Sequence, residues 1–233
     1  MKLGIMQPYF FPYIGYFQLI NAVDEFVIYD NIKYTKKGWI NRNRILVNSK
    51  DSYISLPLRN DRDDLDVRDR FLADTWTVDR NKMLNRLTES YRKAPFFDTV
   101  YPMVKKCILF EEKNLFLFIY NTLVEIKLYL EIKTKYTISS TIMIDHSLRS
   151  ANKVLAICKD RNASIYINPI GGIELYDKNV FKRQKIDLQF IKTDNSAYKQ
   201  FDNEYIPFLS IIDVMMFNSK DEIKKMLKLY SLN

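Results

Sequence analysis

Tyrosine, arginine and asparagine side chains gather beside most of the chain's few glycines. The sequence has only 5 glycines in 233 residues, roughly a third of the number that an average usage of about 7% predicts. Four of them lie in three short motifs, YIGY at 13–16, KGW at 37–39 and PIGG at 169–172. Glycine is favoured where the backbone must approach another group closely or adopt a positive φ. We therefore predict that the three motifs border one ligand site.

The first motif offers neutral hydrogen-bond donors at the start of a helix. It follows a short strand that we expect to end at Gln7 and Tyr9, and Gly15 would let a ligand or a facing strand approach. The arrangement resembles the HxGH loop of nucleotidylyltransferases, with Tyr13 and Tyr16 at the two histidine positions. Because tyrosine has a pKa of about 10, both can donate hydrogen bonds to a phosphate but bring no positive charge. We assign Tyr13 and Tyr16 to catalysis. We assign Gln7, Tyr9 and Gly15 to substrate binding, and an aromatic-packed turn is the alternative for this motif.

The second motif lies in a strongly basic segment. Residues 33–44 contain five cations and no acid, and the cations are Lys33, Lys36, Lys37, Arg42 and Arg44. Arginine forks match phosphate groups, and Trp39 offers a face for stacking. In an extended segment Asn41 and Asn43 share one face and the two arginines share the other, so at most one pair lines a site. We predict that Lys37 and Arg42 bind phosphate and that Trp39, Asn41 and Asn43 bind a sugar or base. A solvated charged loop is the alternative.

The third motif directly follows a predicted strand. Paired glycines at a strand end present backbone amides to a ligand, so we assign Gly171 and Gly172 to substrate binding together with Asn168. Tyr176 follows closely enough to face the same crevice. A plain turn is the alternative.

Two acidic residues are candidates for a catalytic base. Asp30 ends a predicted strand, where it would orient a hydroxyl or amine or else cap a turn. Asp213 lies three residues after Ser210 on one face of a predicted helix, and we assign Ser210 to substrate binding. The single histidine, His146, suits a surface or capping role better than catalysis. No residue set predicts a metal site.

Composition limits the class of protein. An apolar fraction of 47% excludes disorder, and no apolar run approaches the ~18 residues of a membrane span. The N-terminal residues do not resemble a signal peptide, so we expect a cytoplasmic protein. The net charge of +8 favours anionic partners such as nucleotides, nucleotide sugars, tRNA or a membrane surface. An AT-rich genome would also supply many lysines.

Hydrophobic periodicity predicts an α/β fold that positions these motifs after strands. The predicted strands are 2–6, 25–29, 44–47, 53–56, 136–143, 164–167 and 187–191. The predicted helices are 15–22, 78–93, two more through 100–108 and 119–130, then 150–161, 207–217 and 221–230. Residues 60–69 are predicted to form a mobile loop. We expect one domain over 1–233, with an open, largely parallel Rossmann-like sheet and a helical insertion at roughly 78–132. A split near residue 70 or 135 is the alternative.

Several longer blocks resemble the WbqC-like family of bacterial proteins. The blocks are MQPYFFPYIGYFQLI at 6–20, FVIYD at 26–30, GWINRNRI at 38–45, YINPIGG at 166–172, LYD at 175–177 and FLSIID at 208–213. Members of that family occur with genes for surface polysaccharide, the O-antigen of lipopolysaccharide. The resemblance implies transfer of an acyl or aminoacyl group, for example glycyl, to a nucleotide-linked amino-deoxy sugar such as a dTDP-sugar.

Three functions follow as hypotheses. The leading one is this N-acyl or aminoacyl transferase, which needs no cofactor beyond an acyl donor such as aminoacyl-tRNA or acyl-CoA. In it, Asp30 or Asp213 is the base and Tyr13 and Tyr16 donate hydrogen bonds. The second is a degenerate nucleotidyltransferase-like enzyme that activates a carboxylate with ATP. The third is a non-catalytic nucleic-acid-binding module.

Overall fold

A six-stranded sheet forms the centre of the fold in residues 1–194, 197–202 and 204–233, which the computed structural model describes. Across the sheet the strands follow the order β5 (Lys135–Ile138), β2 (Glu25–Ile28), β1 (Lys2–Met6), β6 (Ile165–Pro169), β7 (Asp187–Thr193) and β8 (Tyr230–Leu232). The pairings from β5 through β7 are parallel, and β8 runs antiparallel to β7. The predicted open, largely parallel α/β sheet is therefore confirmed.

The chain changes direction across the sheet between β1 and β6. After β1 it moves to one side, through β2 to β5, and after β6 it moves to the other side, to β7. In open α/β sheets this topological switch point leaves a crevice at the carboxyl ends of the two strands. The loops that follow β1 and β6 carry the first and third glycine motifs, so the topology brings those two motifs to one edge.

Apolar residues pack on both faces of the sheet. In β2, Phe26 and Ile28 join the larger core cluster, while Val27 joins a smaller one beneath two helices. Helices outside the middle third of the chain include α1 (Ile14–Ala22), α5 (Ser150–Asp160), α6 (Lys178–Arg183), α7 (Ile211–Phe217) and α8 (Lys220–Met226). Cys107 and Cys158 are buried free thiols, and burial raises the pKa of each to about 12.

The middle third of the chain is helical, as predicted. It contains α2 (Trp76–Tyr91), α3 (Phe97–Ile108) and α4 (Leu115–Tyr129), which follow one another between two strands. Asn114 caps α4, because its side chain accepts a hydrogen bond from the Leu117 amide at 3.0 Å. None of the helices in the described part of the chain is both long and apolar enough to cross a bilayer. The assignment of the whole chain to one domain stays a prediction.

A separate β-hairpin positions the basic segment. Strands β3 (Arg42–Val47) and β4 (Lys50–Ser55) pair antiparallel, and their turn residues Asn48 and Ser49 have φ of 48° and 64°. Positive φ at both turn residues matches the twist of a two-residue hairpin. Asn43 is buried, while Arg42 and Arg44 are partly exposed, so these three residues alternate as predicted. Asn41 precedes the strand and is also partly exposed, so the predicted pair of asparagines on one face is not formed within it.

The bounds of several predicted elements differ from those of the structure, and three elements differ most. The strand predicted at 136–143 ends at Ile138 and continues as a 3₁₀ turn. The helix predicted at 207–217 begins only at Ile211, after Ser210 accepts a hydrogen bond from the Ile212 amide at 3.2 Å. The helix predicted at 221–230 ends at Met226, because the chain then extends to pair with the edge of β7. The charged segment 60–69 is anchored near its end, where the Val67 amide donates to the Ile32 carbonyl at 2.9 Å.

Candidate functional site

A cavity of about 390 Å³ opens at the switch point between β1 and β6, and we call it the switch-point cavity. Tyr29 after β2 and Val154 of α5 contribute to its wall. Six residues predicted to bind substrate also line it: Gln7, Tyr9, Asn168, Gly171, Gly172 and Tyr176. The volume suits part of a small ligand, since ligand pockets of proteins measure about 300–1,000 Å³.

Tyrosines dominate the polar lining of the switch-point cavity. Burial is the main cause that raises the pKa of Tyr9 to about 12, and Tyr13 adds to it. Burial also raises the pKa of Tyr29 to about 12, and it raises the pKa values of Tyr166 and Tyr176. All four hydroxyls therefore stay protonated at neutral pH. Tyr166 donates its hydrogen to Asn168, so Tyr9, Tyr29 and Tyr176 are the hydroxyls that can donate to a ligand, and none of the four can act as a strong base.

The two glycines of the third motif have different neighbours. A Cβ on Gly172 would collide with the amide nitrogen of Asn168, whereas a Cβ on Gly171 would meet none of the described residues within 4 Å. Asn168 is itself fixed, because it accepts a hydrogen bond from Tyr166 at 2.9 Å and donates one to Pro169 at 3.0 Å. Gly172 is thus required for packing behind the cavity wall, and Gly171 borders open space.

The first motif stiffens the loop after β1. The buried Tyr16 donates its hydroxyl hydrogen to the Gln7 carbonyl at 2.9 Å, and it lines neither the switch-point cavity nor the pocket described next. A Cβ on Gly15 would collide with the Tyr13 ring and the Thr193 hydroxyl. Tyr16 and Gly15 therefore hold the loop in place, away from both lined spaces.

A second space of about 340 Å³, the aromatic pocket, lies beside the first. It is lined by Tyr9, Tyr13, Trp39, Asn43, Arg44 and Phe208. Tyr9 of the loop after β1 lines both spaces. The first and second motifs meet at the aromatic pocket through Tyr13 and Trp39, whereas the third motif lines the switch-point cavity with Tyr9, so the three motifs do not border one site as expected.

Buried polar side chains fix the walls of the aromatic pocket. Asn43 donates to the carbonyls of Phe10 and Phe11 at 3.2 and 2.9 Å, and Ser210 donates to the Phe11 carbonyl at 2.7 Å. Phe11 and Phe208 have φ of 42° and 58°, a left-handed conformation that is unfavourable for bulky residues. Hydrogen bonds from two distant segments thus hold an unfavourable backbone next to a cavity. Ser210 supports the pocket without lining it.

The residues predicted to bind phosphate lie elsewhere. The Arg42 guanidinium donates to the carbonyls of Lys37 and Gly38 at 2.7 and 3.1 Å and lies 4.9 Å from the ring centroid of Tyr53. Neither Arg42 nor the exposed Lys37 lines either space, whereas Arg44 lines the aromatic pocket. The structure thus places the other arginine of this strand at a cavity.

The Asn41 side chain forms its hydrogen bonds within the protein. Its amide donates to the Leu56 carbonyl at 2.9 Å, and its carbonyl oxygen accepts from the Tyr34 hydroxyl at 2.8 Å. Both polar atoms of this side chain are therefore used within the protein, and Asn41 lines neither space.

The Asp30 carboxylate is held by the end of β5. It accepts hydrogen bonds from the Ser139 hydroxyl at 2.8 Å, the Ser140 amide at 2.9 Å and the Ser140 hydroxyl at 2.6 Å. With an exposure of 2% it lines neither space. Of the two roles left open, the geometry fits the capping of a turn.

Asp213 lies in a buried network beneath α7. It accepts hydrogen bonds from Tyr91 at 2.8 Å, from Tyr198 at 2.6 Å and from Gln200 at 2.8 Å. Burial raises the pKa of Asp213, and these hydrogen bonds offset only part of the effect. The network ties α2 and residues 198–200 to α7, and it brings the carboxylate to neither space.

Sequence reasoning missed one buried cation beside the switch-point cavity. Lys153 is 2% exposed, its ammonium donates to the Asn31 carbonyl at 3.3 Å, and it lies 5.1 Å from the Tyr29 ring centroid. Burial and the neighbouring Arg149 lower the pKa of Lys153. Helical spacing could have indicated its burial, because Lys153 and Ile157 are four residues apart on one face of a predicted helix, and both are buried.

Comparison with known proteins gives one family match and one curated relative. A sequence model of the WbqC-like protein family matches residues 7–225. "Uncharacterized protein Rv1507c" of Mycobacterium tuberculosis (strain ATCC 25618 / H37Rv) is 30% identical over 223 residues, which cover 93% of each chain. No solved structure matches the chain significantly.

Proposed function

The chain belongs to the WbqC-like protein family, and we propose that it is a transferase that places an acyl or aminoacyl group, such as glycyl, on an amino sugar. The amino sugar would be nucleotide-linked, as surface-polysaccharide biosynthesis requires. One observation carries the proposal: the switch-point cavity and the aromatic pocket share Tyr9. A nucleotide-linked sugar is a substrate of two parts, and two adjacent binding spaces can hold both parts and so orient its amine for transfer.

In this proposal the amino sugar occupies the switch-point cavity. Its amine attacks the carbonyl carbon of the acyl donor, a C–N bond forms, and the bond from that carbon to the donor's oxygen or sulfur breaks. The amine loses one proton, and the leaving group accepts one. Hydrogen-bond donors placed around the carbonyl oxygen stabilise the oxyanion in such a reaction. Tyr9, Tyr176 and the backbone amide of Gly171 are the donors that we assign to this role.

The lining of the switch-point cavity supports catalysis by positioning. Its side chains include no carboxylate and no imidazole among the residues that the structure describes. Because the geometry gives Asp30 and Asp213 structural partners, we propose that the substrate amine reacts after it loses its proton to water. Orientation and hydrogen bonding then supply the rate enhancement, as they do for well-aligned bimolecular reactions.

The donor is proposed only by class. An aminoacyl-tRNA, an acyl-CoA or an acyl-adenylate each presents an activated carbonyl, and no further cofactor is required. The net charge of +8 would attract any of these anionic donors.

A mass-spectrometric assay tests the proposal. The protein is incubated with dTDP-linked amino sugars and each donor class, and N-acylated product is measured by its mass gain. Tyr9→Phe should lower product formation roughly 10-fold or more, as the loss of a hydrogen-bond donor to an oxyanion does. Tyr101→Phe in α3 lines neither space and serves as the matched control.

Three results would contradict the proposal. Absence of product with every donor, or equal product with Tyr9→Phe and Tyr101→Phe, would remove its basis. Release of pyrophosphate from ATP without acyl transfer to the sugar would favour the carboxylate-activating enzyme instead.

A further inference from the structure

We propose that the aromatic pocket is a nucleobase-binding site. The pocket combines several aromatic side chains, one arginine and a rigid backbone in a volume of about 340 Å³. Base binding at this pocket can be tested without reference to the catalysed reaction. The assignment of that base to the nucleotide-linked sugar rests on the proposed function.

Trp39 is held in position for stacking while part of its surface stays open. Its ring stacks on Tyr53 with a centroid distance of 6.1 Å and an interplanar angle of 25°, yet 38% of the residue is exposed. On the same pocket, Tyr13 and Phe208 meet edge to face at 6.1 Å and 72°, and Phe208 is 49% exposed. Large exposed aromatic surfaces that other rings fix in place are suited to stacking on a planar ligand.

Hydrogen bonds hold the backbone around the pocket in one conformation. Phe11 and Phe208 both have left-handed φ values, and Asn43 and Ser210 bind the Phe11 carbonyl from opposite ends of the chain. The Ser210 amide also donates to the Arg44 carbonyl at 2.8 Å. An unfavourable backbone conformation that buried hydrogen bonds maintain beside a cavity is typical of a functional site, and rigidity lowers the entropic cost of binding.

Arg44 supplies an unused polar group. Its Nη1 pairs with Asp51 at 3.0 Å, and its Nη2 lies 3.5 Å from the Phe208 carbonyl oxygen. Its Nε is buried and has no hydrogen-bond partner in the described part of the chain. A carbonyl or ring nitrogen at the edge of a base is an acceptor that would satisfy such a donor.

The same lining disfavours a sugar in this pocket. Asn43 already uses its side-chain oxygen and nitrogen, in bonds to the Arg44 amide and to two carbonyls. The remaining side chains are rings and Arg44, which offer few partners to the many hydroxyls of a sugar. A planar base needs few hydrogen bonds and buries its faces against rings.

The position of Tyr9 connects this inference to the proposed reaction. Because Tyr9 lines both spaces, a nucleotide-linked substrate would place its base in the aromatic pocket and its sugar in the switch-point cavity. The acyl donor would then approach from the open side of the switch-point cavity.

Trp39 provides a direct optical test. The chain has 2 tryptophans, and Trp76 is buried with an Nε1 that has no partner among the residues that the structure describes. Trp76→Phe therefore removes no hydrogen bond described in the structure and leaves Trp39 as the single reporter. We expect saturable quenching of its fluorescence by thymidine, uridine or adenosine, and none by ribose 5-phosphate or free glucose.

Calorimetry on the otherwise unchanged protein makes the test independent of that variant. Trp39→Ala should weaken nucleoside binding at least roughly fivefold, the lower end of the effect of removing one stacking partner. Phe110→Ala removes a ring of similar exposure, 39% against 38% for Trp39, outside the aromatic pocket. It should bind nucleoside as the wild type does.

Each outcome decides the inference. Absence of saturable nucleoside binding to the wild type, equal binding by Trp39→Ala, or equal quenching by ribose 5-phosphate would overturn it. Nucleoside binding that depends on Trp39 in a protein without acyl transfer would support the base site and contradict the proposed function. Acyl transfer with a KM for the nucleotide sugar that Trp39→Ala leaves unchanged would support the function and overturn the base site.

Discussion

Replacing Asn43 by alanine should destabilise the protein more than its small volume suggests. The side chain is 4% exposed and makes three hydrogen bonds, to the carbonyls of Phe10 and Phe11 and from the Arg44 amide. The Phe11 carbonyl keeps its bond from Ser210 in Asn43→Ala. The other two backbone groups lose the bond that Asn43 gives them.

The expected loss follows from those two groups. A buried polar group left without a partner costs about 1–3 kcal/mol, and water entering the adjacent aromatic pocket would satisfy part of that requirement. We therefore expect the free energy of unfolding to fall by about 2–4 kcal/mol. Urea denaturation followed by circular dichroism measures this fall as a lower midpoint at an unchanged slope. Asn152→Ala, at an exposed position of α5, is the control and should change stability by less than about 0.7 kcal/mol.

A double-mutant cycle sharpens this prediction. Asn43 and Ser210 both donate to the Phe11 carbonyl, so either one alone keeps that oxygen satisfied. Removing both leaves it without either donor, and the double variant should lose more stability than the sum of the single variants, by about 0.5–3 kcal/mol. The reasoning would be refuted by an Asn43→Ala loss no larger than that of Asn152→Ala, or by strict additivity in the cycle.

Two further predictions concern Gly172 and Glu25. Gly172→Ala should lower the free energy of unfolding by about 1–3 kcal/mol, because the new Cβ would collide with the Asn168 amide. In the control Gly171→Ala the new Cβ would meet none of the described residues within 4 Å, so the free energy of unfolding should change by less than about 0.5 kcal/mol. Equal losses of the two variants in urea denaturation would contradict this prediction. Burial raises the pKa of Glu25, but the hydrogen bonds and positive charge around it, including those of Arg161, outweigh burial and lower this pKa below the usual 4.5. The ionised carboxylate therefore stabilises the folded protein above pH 4.5, and this stabilisation is lost as the pH falls through the lowered pKa. Glu25→Gln should therefore lose less stability than the wild type between pH 5 and pH 3, by roughly the part that this one carboxylate contributes, and parallel pH profiles would be inconsistent with the pairing.

The fold was predictable because its signals are local and periodic. Short apolar runs followed by turn residues marked β1, β2 and β6, and the rule that parallel strands end at one edge placed Gln7, Asn168 and Gly172 together. The third-motif glycines and the loop after β1 therefore meet as expected. The terminal strand β8 was missed, because pairing with the exposed edge of β7 decided its conformation, and the local sequence carries no signal of that edge.

The chemical roles were harder to predict because partners far apart in sequence decide them. Ser139 and Ser140, about a hundred residues away in sequence, donate hydrogen bonds to the Asp30 carboxylate. The sequence around Asp30 does not predict these partners. The pleat of β3 predicted that its arginines share a face, but only the packing of the hairpin shows that Arg44 reaches the aromatic pocket. The alternation of side chains along a strand predicts which face a residue lies on, but it does not predict which residues pack against that face.

The tyrosine-rich lining limits the chemistry that the switch-point cavity can support. Burial raises the pKa of Tyr9 and of Tyr29 to about 12, so both remain neutral donors across the physiological range. A reaction that needs the protein to remove a proton from water or a hydroxyl is poorly served by such groups. An amine carries its own lone pair once it is deprotonated, and it needs only orientation and an oxyanion partner. The lining therefore suits the proposed transfer to a nitrogen nucleophile better than hydrolysis, and under that proposal the pH dependence of turnover should follow the pKa of the substrate amine.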